Sequence, residues 1–322
     1  MGCLWYCLLS SIVYAVVVLL SDFECLEGTL VDTIGYYLTF GPLLVTESLL
    51  SICCGKKVTE SLLSWLQASC NSPRNPVGQL VFVSIYGGCA LGVVNQIFPE
   101  LSDLHKAVGS FWFVAVLLLY IIVCKSDPGI VVDSNQVDFI RLFPPDGELR
   151  VEKFCDTCMK VRPAQGKHHD GHCIALYDHY CIWVKNSIGF FNMRYFLLFL
   201  MVTSLACAHG AVVGTYLVYA DMISRGWHVG SYDFQILFRI VANEYGPIGA
   251  LISFLFICSS VLFTFFLSQI WQILQGMTTY ESIKIRSMEP SIRRKYQRGF
   301  RPRYLWMVLR PHYHLSQSQK YE

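Results

Sequence analysis

Apolar stretches separated by polar segments run along most of this chain, and the longest of them predict membrane-spanning helices. Such stretches, nearly free of charged residues, occur at residues 77–98, 107–124, 195–219 and 247–274. A helix of about 17–25 apolar residues is long enough to cross about 30 Å of hydrocarbon. We therefore expect two pairs of transmembrane helices, with a short polar loop inside the first pair and a longer one inside the second.

The N-terminal region, residues 1–76, contains two further apolar stretches. Residues 3–20 carry no charge and lack the basic segment that opens a secretory signal, so we interpret them as another transmembrane helix. Residues 33–54 include a Gly-Pro pair and one glutamate, and either span the membrane or lie in its interface. The chain is thus predicted to be an all-α polytopic membrane protein with four core helices and one or two N-terminal helices.

The composition agrees with this interpretation. Hydrophobic residues make up 54% of the 322 residues, whereas soluble domains typically hold about 45–50%. A large soluble core is excluded, because the remaining polar segments are short. The chain also contains 14 cysteines. Those inside apolar stretches are interpreted as small apolar side chains, whereas those paired as C-x2-C in polar sequence favour metal binding over disulfides.

The basic residues indicate which segments share a side of the membrane. Of the 25 lysines and arginines, 9 lie in the polar block 125–194, 10 in the tail 275–322 and 3 in residues 55–75. Because basic residues concentrate on the cytosolic side of membrane proteins, we expect the block and the tail to face the cytosol. The predicted domains are an N-terminal region at 1–76, a first core helix pair at 77–124, a cytosolic Cys/His-rich domain at 125–194, a second core helix pair at 195–274 and a basic cytosolic tail at 275–322.

Three cysteines and a histidine in the polar block have the spacing C-x2-C-x9-H-x4-C. They are Cys155, Cys158, His168 and Cys173. Zn²⁺ favours a tetrahedral set of such thiolates and imidazoles, and a closed four-ligand site is structural rather than catalytic. Because the block has few large apolar residues, a zinc ion is expected to replace the missing core. His169 and His172 lie in the same turn, and either could replace His168 as the ligand.

Asp178, His179 and Cys181 follow the last of these ligands and form a second candidate site. A cysteine is a strong nucleophile only as the thiolate, and a neighbouring histidine that takes its proton activates it. A carboxylate on the other ring nitrogen orients the histidine and selects its tautomer. Residues i and i+2 share a face on a strand but not on a helix, so proximity in sequence is weak evidence by itself. We interpret Cys181 as an activated thiol that the neighbouring metal site holds at a membrane surface.

The segment from Cys155 to Phe196 resembles the cysteine-rich domain of the DHHC-type protein S-acyltransferases, or palmitoyltransferases. Besides the residues above, the matching positions are Arg162-Pro163, Lys167, Trp183, Asn186, Gly189 and Asn192. Asp127-Pro128-Gly129 is similar to the family's DPG motif, and Thr278-Thr279-Tyr280-Glu281 is similar to its TTxE motif. These motifs flank the two pairs of predicted spans in the order that the family shows.

The resemblance implies that Cys181 attacks a long-chain acyl-CoA, becomes acylated and passes the acyl group to a cysteine of a protein substrate. It implies His179 as the base, Asp178 as its orienting partner and Thr279 as a residue that contacts Asp178. Trp183 is expected near the acyl chain, the four core helices around that chain, and the metal ligands named above around the family's first structural zinc. The expected partners are palmitoyl-CoA, membrane-associated protein substrates at the cytosolic face and membrane lipid, with no nucleic acid.

Several positions depart from the family's pattern. Tyr180 stands where the Asp-His-His-Cys signature has its second histidine, and Ser187 stands where the family has a cysteine; both positions hold ligands of a second zinc in the family. His169 and His172 occupy places where further cysteines are expected. Because all these positions are altered together, we expect one zinc ion per chain and retained thiol chemistry.

Two other functions compete with an acyltransferase. A catalytically impaired, zinc-binding membrane scaffold of the same family is motivated by Tyr180 and Ser187. A transporter or channel requires ionisable groups inside the spans, and only Glu47 and His209 qualify. Lys320 resembles half of a dilysine retrieval signal and favours the endoplasmic reticulum or the Golgi.

Overall fold

The computed structural model describes residues 76–227, 242–297 and 299–311, together with the isolated positions 57, 58, 61 and 239. The predicted helical stretches at 3–20 and 33–54, and Lys320, lie outside the described residues.

Four long helices confirm the two predicted pairs of core spans. They are α1 (Val77–Gln96), α2 (Asp103–Lys125), α4 (Met193–Ser224) and α5 (Gly246–Gln275). Each is long and apolar enough to cross a membrane. Large apolar side chains are exposed on all four, as at Leu80, Phe111, Val212 and Phe256. In an integral membrane protein, lipid covers such surfaces.

Two of the spans extend by about a helical turn past the apolar stretches that predicted them. Helix α2 begins at Asp103 instead of residue 107, and α4 ends at Ser224 instead of residue 219. Asp103 in the first turn of α2 and Lys125 in its last turn both interact favourably with the helix dipole. Polar helix ends therefore continue beyond the part that hydrophobicity detects. A short 3₁₀ turn, Phe98–Glu100, connects α1 with α2.

The described residues divide into two compact units, and each long helix contributes to both. The first unit comprises mainly Val83–Phe113 and Thr203–Thr264. Within it, the Ser204 hydroxyl donates to the Ser259 carbonyl at 2.9 Å, and the Ser259 hydroxyl donates to the Ser204 carbonyl at 3.0 Å. Such reciprocal bonds hold two apolar helices together where water is absent.

The second unit comprises Pro76–Phe82, Val114–Val202 and the described residues from Phe265 onward. It contains helix α3 (Asp133–Leu142) and three antiparallel hairpins. The hairpin strands are β1 (Lys153–Cys155) with β2 (Lys160–Arg162), β3 (Lys167–His169) with β4 (His172–Ile174), and β5 (His179–Cys181) with β6 (Asn186–Ile188). The helices that follow α5 are α6 (Thr279–Arg286), α7 (Pro290–Gln297) and α8 (Pro302–Leu309).

The hydrophobic pattern did not predict the three hairpins. Each strand has only 3 residues, which is too short to show a clear alternation of apolar and polar side chains. A single two-stranded hairpin is marginally stable in water, so its environment must hold it. Met159, Asp170 and Lys185 have positive φ angles of 53°, 48° and 51° in the three hairpin turns.

Three phenylalanines form the centre of the apolar core in this unit. Phe139, Phe143 and Phe190 are 0% exposed, and their ring centroids lie 5.4–6.4 Å apart. Phe139 lies on α3, Phe143 is the C-cap residue that follows this helix, and Phe190 lies between β6 and α4. Helix α3 therefore packs against the end of the third hairpin and holds it next to the membrane helix that follows.

Candidate active site

Asp178, His179 and Cys181 come together on the third hairpin. His179 and Cys181 both belong to β5, and alternate residues of a strand share one face. The Nδ1 atom of His179 lies 2.7 Å from Oδ2 of Asp178. The His179 side chain also forms a hydrogen bond with Cys181, a free thiol that is 7% exposed. Because β5 is an extended strand, the side chains of His179 and Cys181 lie on the same face and can interact.

The Asp178 carboxylate is fixed from two sides and is 2% exposed. Its Oδ2 atom faces the imidazole, and its Oδ1 atom accepts a 2.6 Å hydrogen bond from the backbone N–H of Thr279. The backbone of Asp178 is also fixed, because its N–H donates to Ile188 at 2.8 Å and its carbonyl accepts from Tyr280 at 3.1 Å. The contact with Thr279 that the family resemblance implies is present, and its donor is the backbone amide.

The surroundings of His179 favour its protonated form. Burial lowers the pKa of the imidazole, but hydrogen bonds and charge interactions with Asp178 and Cys181 outweigh burial and raise the pKa from 6.5 to about 9. The imidazolium is therefore the stable form at neutral pH. A cation beside a thiol favours the thiolate, which is the nucleophilic form.

The turn of the third hairpin rests on the end of α2. Asn186 donates to the carbonyls of Val123 and Ser126 at 2.9 and 2.8 Å, and so satisfies two acceptors at the C-terminal end of this helix. The Tyr120 hydroxyl donates to the carbonyl of Trp183 at 3.2 Å. The Trp183 side chain, expected near the acyl chain, is 46% exposed. These contacts place Cys181 where the polar domain meets the membrane helices.

The same turn also lies close against the start of α1. A Cβ atom on Gly78 would stand 2.3 Å from the carbonyl oxygen of Ile182, so only glycine permits this approach. Next to it, Nε2 of Gln79 donates to the carbonyl of Val184 at 3.3 Å. The hairpin that carries the thiol is therefore seated on two helix ends.

One group of side chains that could hold a metal ion occurs among the described residues, and its members are the four predicted ligands. They are Cys155, Cys158, His168 and Cys173, whose ligand atoms lie within 4.8 Å of one another. The three sulfurs lie 3.3, 3.2 and 3.8 Å from Nδ1 of His168. Tetrahedral zinc, with bonds of about 2.3 Å to sulfur and about 2.0 Å to nitrogen, places such ligands about 3.6 Å apart. The set therefore fits a zinc ion that joins the first two hairpins.

The structure also decides which histidine faces the thiols. His168 and His169 are adjacent on β3 and so point to opposite faces. His169 lies with Nδ1 at 3.2 Å from Oγ of Ser187, and its ring centroid is 4.9 Å from that of Tyr180. His172 is exposed. Because Tyr180 and Ser187 pair directly across β5 and β6, these two residues and His169 form a polar cluster between the second and third hairpins.

Glu281, the last residue of the TTxE motif, lies at the centre of a buried polar network. Arg150 donates from Nε to its Oε1 atom at 2.8 Å, and Gln165 donates to the same atom at 3.1 Å. Arg150 also donates to the carbonyl of Gly276, and the Tyr304 hydroxyl donates to Gln165. Sequence analysis missed Arg150 and Gln165, because they lie 131 and 116 residues from Glu281 and no local pattern marks them.

The DPG motif forms a tight turn at the end of α2. Oδ1 of Asp127 accepts hydrogen bonds from the N–H groups of Gly129 and Ile130 at 2.8 and 2.9 Å. Gly129 has a φ of +104°, a conformation that favours glycine. A Cβ atom on Gly189 would stand 2.4 Å from the carbonyl oxygen of Pro128. The motif therefore lets the chain leave the membrane helix and pack against the end of β6.

A cationic cavity of about 100 Å³ opens beside the Glu281 network. Lys153, Arg162 and Lys284 contribute to its lining. Lys284 donates to the carbonyl of Leu149 at 2.9 Å, and Nε of Arg162 is buried without a hydrogen-bond partner among the described residues. The carboxylate of Glu281 also lines the cavity, but Arg150 is paired with it. The remaining cations make this cavity suitable for an anionic group.

Comparison with known proteins adds an independent finding. The family model described as DHHC palmitoyltransferase matches residues 149–286. The chain is 32% identical over 177 residues to palmitoyltransferase swf1 of Schizosaccharomyces pombe, covering 53% of this chain and 48% of that protein. It is 31% identical over 119 residues to palmitoyltransferase ZDHHC4 of Bos taurus, covering 36% of this chain and 35% of that protein. It is 28% identical over 223 residues to probable protein S-acyltransferase 7 of Arabidopsis thaliana, covering 60% of this chain and 48% of that protein. The chain thus spans about half or less of the length of these curated relatives.

Proposed function

Because the chain belongs to the DHHC palmitoyltransferase family, we propose that it is a protein S-acyltransferase that carries a long-chain acyl group on Cys181. The observation that carries this proposal is a buried thiol beside His179, which in turn lies 2.7 Å from the carboxylate of Asp178. The reaction moves the acyl group of palmitoyl-CoA, or of another long-chain acyl-CoA, to a cysteine of a protein substrate.

In the first step, the thiolate of Cys181 attacks the carbonyl carbon of the acyl-CoA thioester. A new carbon–sulfur bond forms, and the bond between the carbonyl carbon and the CoA sulfur breaks. The imidazolium of His179 donates its proton to the departing CoA thiolate, so that CoA leaves as a thiol. The products are a thioester on Cys181 and a neutral imidazole that Asp178 still orients.

Acylation itself prepares His179 for the second step. Cys181 helps to raise the pKa of His179 through a hydrogen bond and a charge interaction. An acylated sulfur carries no negative charge, so the pKa of His179 falls and the imidazole can act as a base. It takes the proton of the substrate cysteine, whose thiolate then attacks the Cys181 thioester. Transfer of the acyl group restores the thiolate of Cys181 and the imidazolium of His179.

The fatty chain is proposed to lie among the apolar helix ends beneath the third hairpin. The ring centroid of Phe196 lies 5.2 Å from that of His179 and 6.1 Å from that of Phe265. Each CH₂ group that leaves water for such surroundings contributes about 0.8 kcal/mol. This contribution favours an acyl chain among the helices with its thioester at Cys181. Trp183, in the same turn, would border the chain.

The cationic cavity supports a position for the phosphates of CoA. Lys153, Arg162 and Lys284 present positive charge in the compact unit that carries the thiol. Lysine and arginine bind phosphate groups through charge-assisted hydrogen bonds. In this arrangement, the acyl chain of the acyl-CoA lies among the membrane helices, and its phosphates lie at the cationic cavity.

The metal site is proposed to hold one structural zinc ion through Cys155, Cys158, His168 and Cys173. A bound zinc would stabilise the first two hairpins, which have little apolar core of their own. At the positions where the family has a second site, His169, Tyr180 and Ser187 contact one another. We therefore propose that a hydrogen-bonded polar cluster replaces the second zinc.

Orientation is also part of this proposal. The concentration of lysines and arginines in residues 125–194 and 275–322 supports a cytosolic face for the thiol. Protein substrates are then membrane-associated proteins with cysteines at that face.

The direct test is acylation of the purified chain with a clickable palmitoyl-CoA. We expect a hydroxylamine-labile adduct that mass spectrometry locates on Cys181 and that is absent from Cys181→Ser. Cys89→Ser, which alters a cysteine within a span, is the matched control and should retain the label. A folded wild-type chain that never carries the adduct would exclude the acyltransferase and favour the zinc-binding scaffold instead.

A further inference from the structure

Two of the three glutamines in the last turns of α5, the fourth core span, point toward the start of α6 and contact Thr279. Gln269 and Gln272 are three residues apart, so their side chains lie on the same side of the helix. Gln269 is 1% exposed. Polar side chains inside membrane helices are costly and often mark functional sites. The presence of these two polar side chains in a membrane helix therefore needs an explanation.

Both glutamines contact the hydroxyl of Thr279. Nε2 of Gln269 donates to this hydroxyl at 3.2 Å, and the hydroxyl donates to Oε1 of Gln272 at 3.0 Å. The backbone N–H of Thr279 donates to Oδ1 of Asp178 at 2.6 Å. One residue thus connects the glutamines on the span with the carboxylate that orients His179.

Stability of helix α6 does not account for this arrangement. The helix is already capped by Thr278, whose hydroxyl accepts from the N–H of Glu281 at 3.2 Å while the Glu281 carboxylate accepts from the N–H of Thr278 at 3.1 Å. Among the described residues, Oε1 of Gln269 has no hydrogen-bond partner. A buried acceptor without a donor destabilises a fold, and an apolar side chain of similar volume would avoid that cost.

We propose that Gln269 and Gln272 are positioning residues for acyl transfer, because they hold Thr279 where its backbone N–H orients the carboxylate of Asp178. The proposal rests on the acyltransferase function proposed above. The span that borders the acyl chain thereby also sets the geometry of the histidine that moves the proton. Neither glutamine touches the reacting atoms, and both act through Thr279 and Asp178.

The test compares the double variant Gln269→Leu/Gln272→Leu with wild type in single-turnover acylation by palmitoyl-CoA across pH. The rate should fall about tenfold to a hundredfold with little change in the concentration of palmitoyl-CoA that gives half-maximal rate. Asp178 and Cys181 are the titratable groups that raise the pKa of His179. Loss of the fixed carboxylate should therefore move the limb of the pH profile that reports on His179 to lower pH.

Two further variants separate positioning from folding. Ser268→Ala removes a hydroxyl whose one hydrogen bond among the described residues stays within its own helix, at 2.8 Å to the carbonyl of Phe265, and should leave the rate and the profile unchanged. Thr279→Val should reproduce the double variant, and Thr279→Ser, which keeps the hydroxyl, should recover the rate. Zinc content and thermal unfolding report whether each variant is folded.

The outcomes distinguish this inference from the function on which it rests. A wild-type chain that forms no adduct on Cys181 overturns both. A wild-type chain that is acylated, together with a folded double variant of unchanged rate and pH profile, overturns the role of the glutamines alone. A double variant that fails to fold while folded Thr279→Val keeps the wild-type rate and profile also overturns it.

Discussion

Arg150 and Glu281, 131 residues apart in sequence, form a buried ion pair with Nε and Oε1 at 2.8 Å. Their side chains are 7% and 6% exposed. Arg150 lies shortly before the first hairpin, and Glu281 lies in α6, which begins with Thr279 and its contact with Asp178. The pair therefore joins the Cys/His-rich domain to the helix that orients the proposed catalytic carboxylate.

Loss of one member of this pair should destabilise the protein strongly. Arg150→Met leaves the Glu281 carboxylate buried without a cation and is expected to lower the free energy of unfolding by about 3–5 kcal/mol. Denaturant unfolding in detergent measures the change. The matched control is Lys295→Ala, which breaks an exposed ion pair with Glu148 at 2.9 Å and should cost at most about 1 kcal/mol. Equal effects of the two changes would contradict a special role for the buried pair, and Arg150→Met/Glu281→Gln should recover part of the loss.

Gly78 should tolerate no side chain, because the hairpin turn lies against it. In Gly78→Ala the new Cβ meets the carbonyl oxygen of Ile182 at 2.3 Å, a backbone atom that must shift together with the turn. We expect destabilisation of about 1–3 kcal/mol and a slower acylation of Cys181. Gly87→Ala is the control on the same helix, since among the described residues no atom beyond the adjoining turns of that helix lies within 4 Å of its new Cβ. That variant should be as stable as wild type or more so, because alanine favours helix.

Removal of the charge on Asp178 should alter the pH dependence of acylation. In Asp178→Asn, the charge of the carboxylate no longer offsets the burial of His179, so the pKa of His179 falls below about 9, while the interactions with Cys181 remain. The protonation of His179 stabilises wild type fully below about pH 6.5, and this stabilisation is lost as the pH rises through about 9. The variant should lack the part of this stabilisation that the Asp178 carboxylate supplies.

The acylation rate of Asp178→Asn at neutral pH should fall about 10²–10⁴-fold. Single-turnover labelling gives the rate, and a titration of His179 by NMR gives the pKa. Asp156→Asn changes an exposed carboxylate of the same domain and serves as the control. An unchanged pKa in Asp178→Asn would show that the 2.7 Å contact with His179 does not govern this proton.

Zinc analysis tests the metal site separately from the thiol. Wild type should contain about one zinc ion per chain, since four ligands complete one tetrahedral site. Cys173→Ser should lose the metal and, with it, the order of the first two hairpins. His172→Ala should keep the zinc, because this residue is exposed and lies outside the ligand cluster. A content of two zinc ions would show that His169, Tyr180 and Ser187 take part in a second site after all.

Local sequence patterns predicted much of this protein. Long apolar stretches predicted the four spans, because a helix that crosses the hydrocarbon of a membrane needs apolar residues over its whole length. The spacing of Cys155, Cys158 and Cys173 indicated a candidate metal site, and Asp178, His179 and Cys181 indicated a candidate thiol site. The three hairpins were not predicted, because strands of 3 residues are too short to show an alternation of apolar and polar side chains.

The sequence by itself determined the membrane class and named the candidate metal ligands and the candidate thiol, since each depends on residues that lie close together along the chain. Only the tertiary structure decided that His168 faces the thiols, that a backbone amide of Thr279 holds Asp178, and that Arg150 is the partner of Glu281. These relationships join segments that are distant in sequence or choose between adjacent side chains. These contacts depend on how the hairpins pack against the helix ends. That packing cannot be predicted from any single stretch of residues.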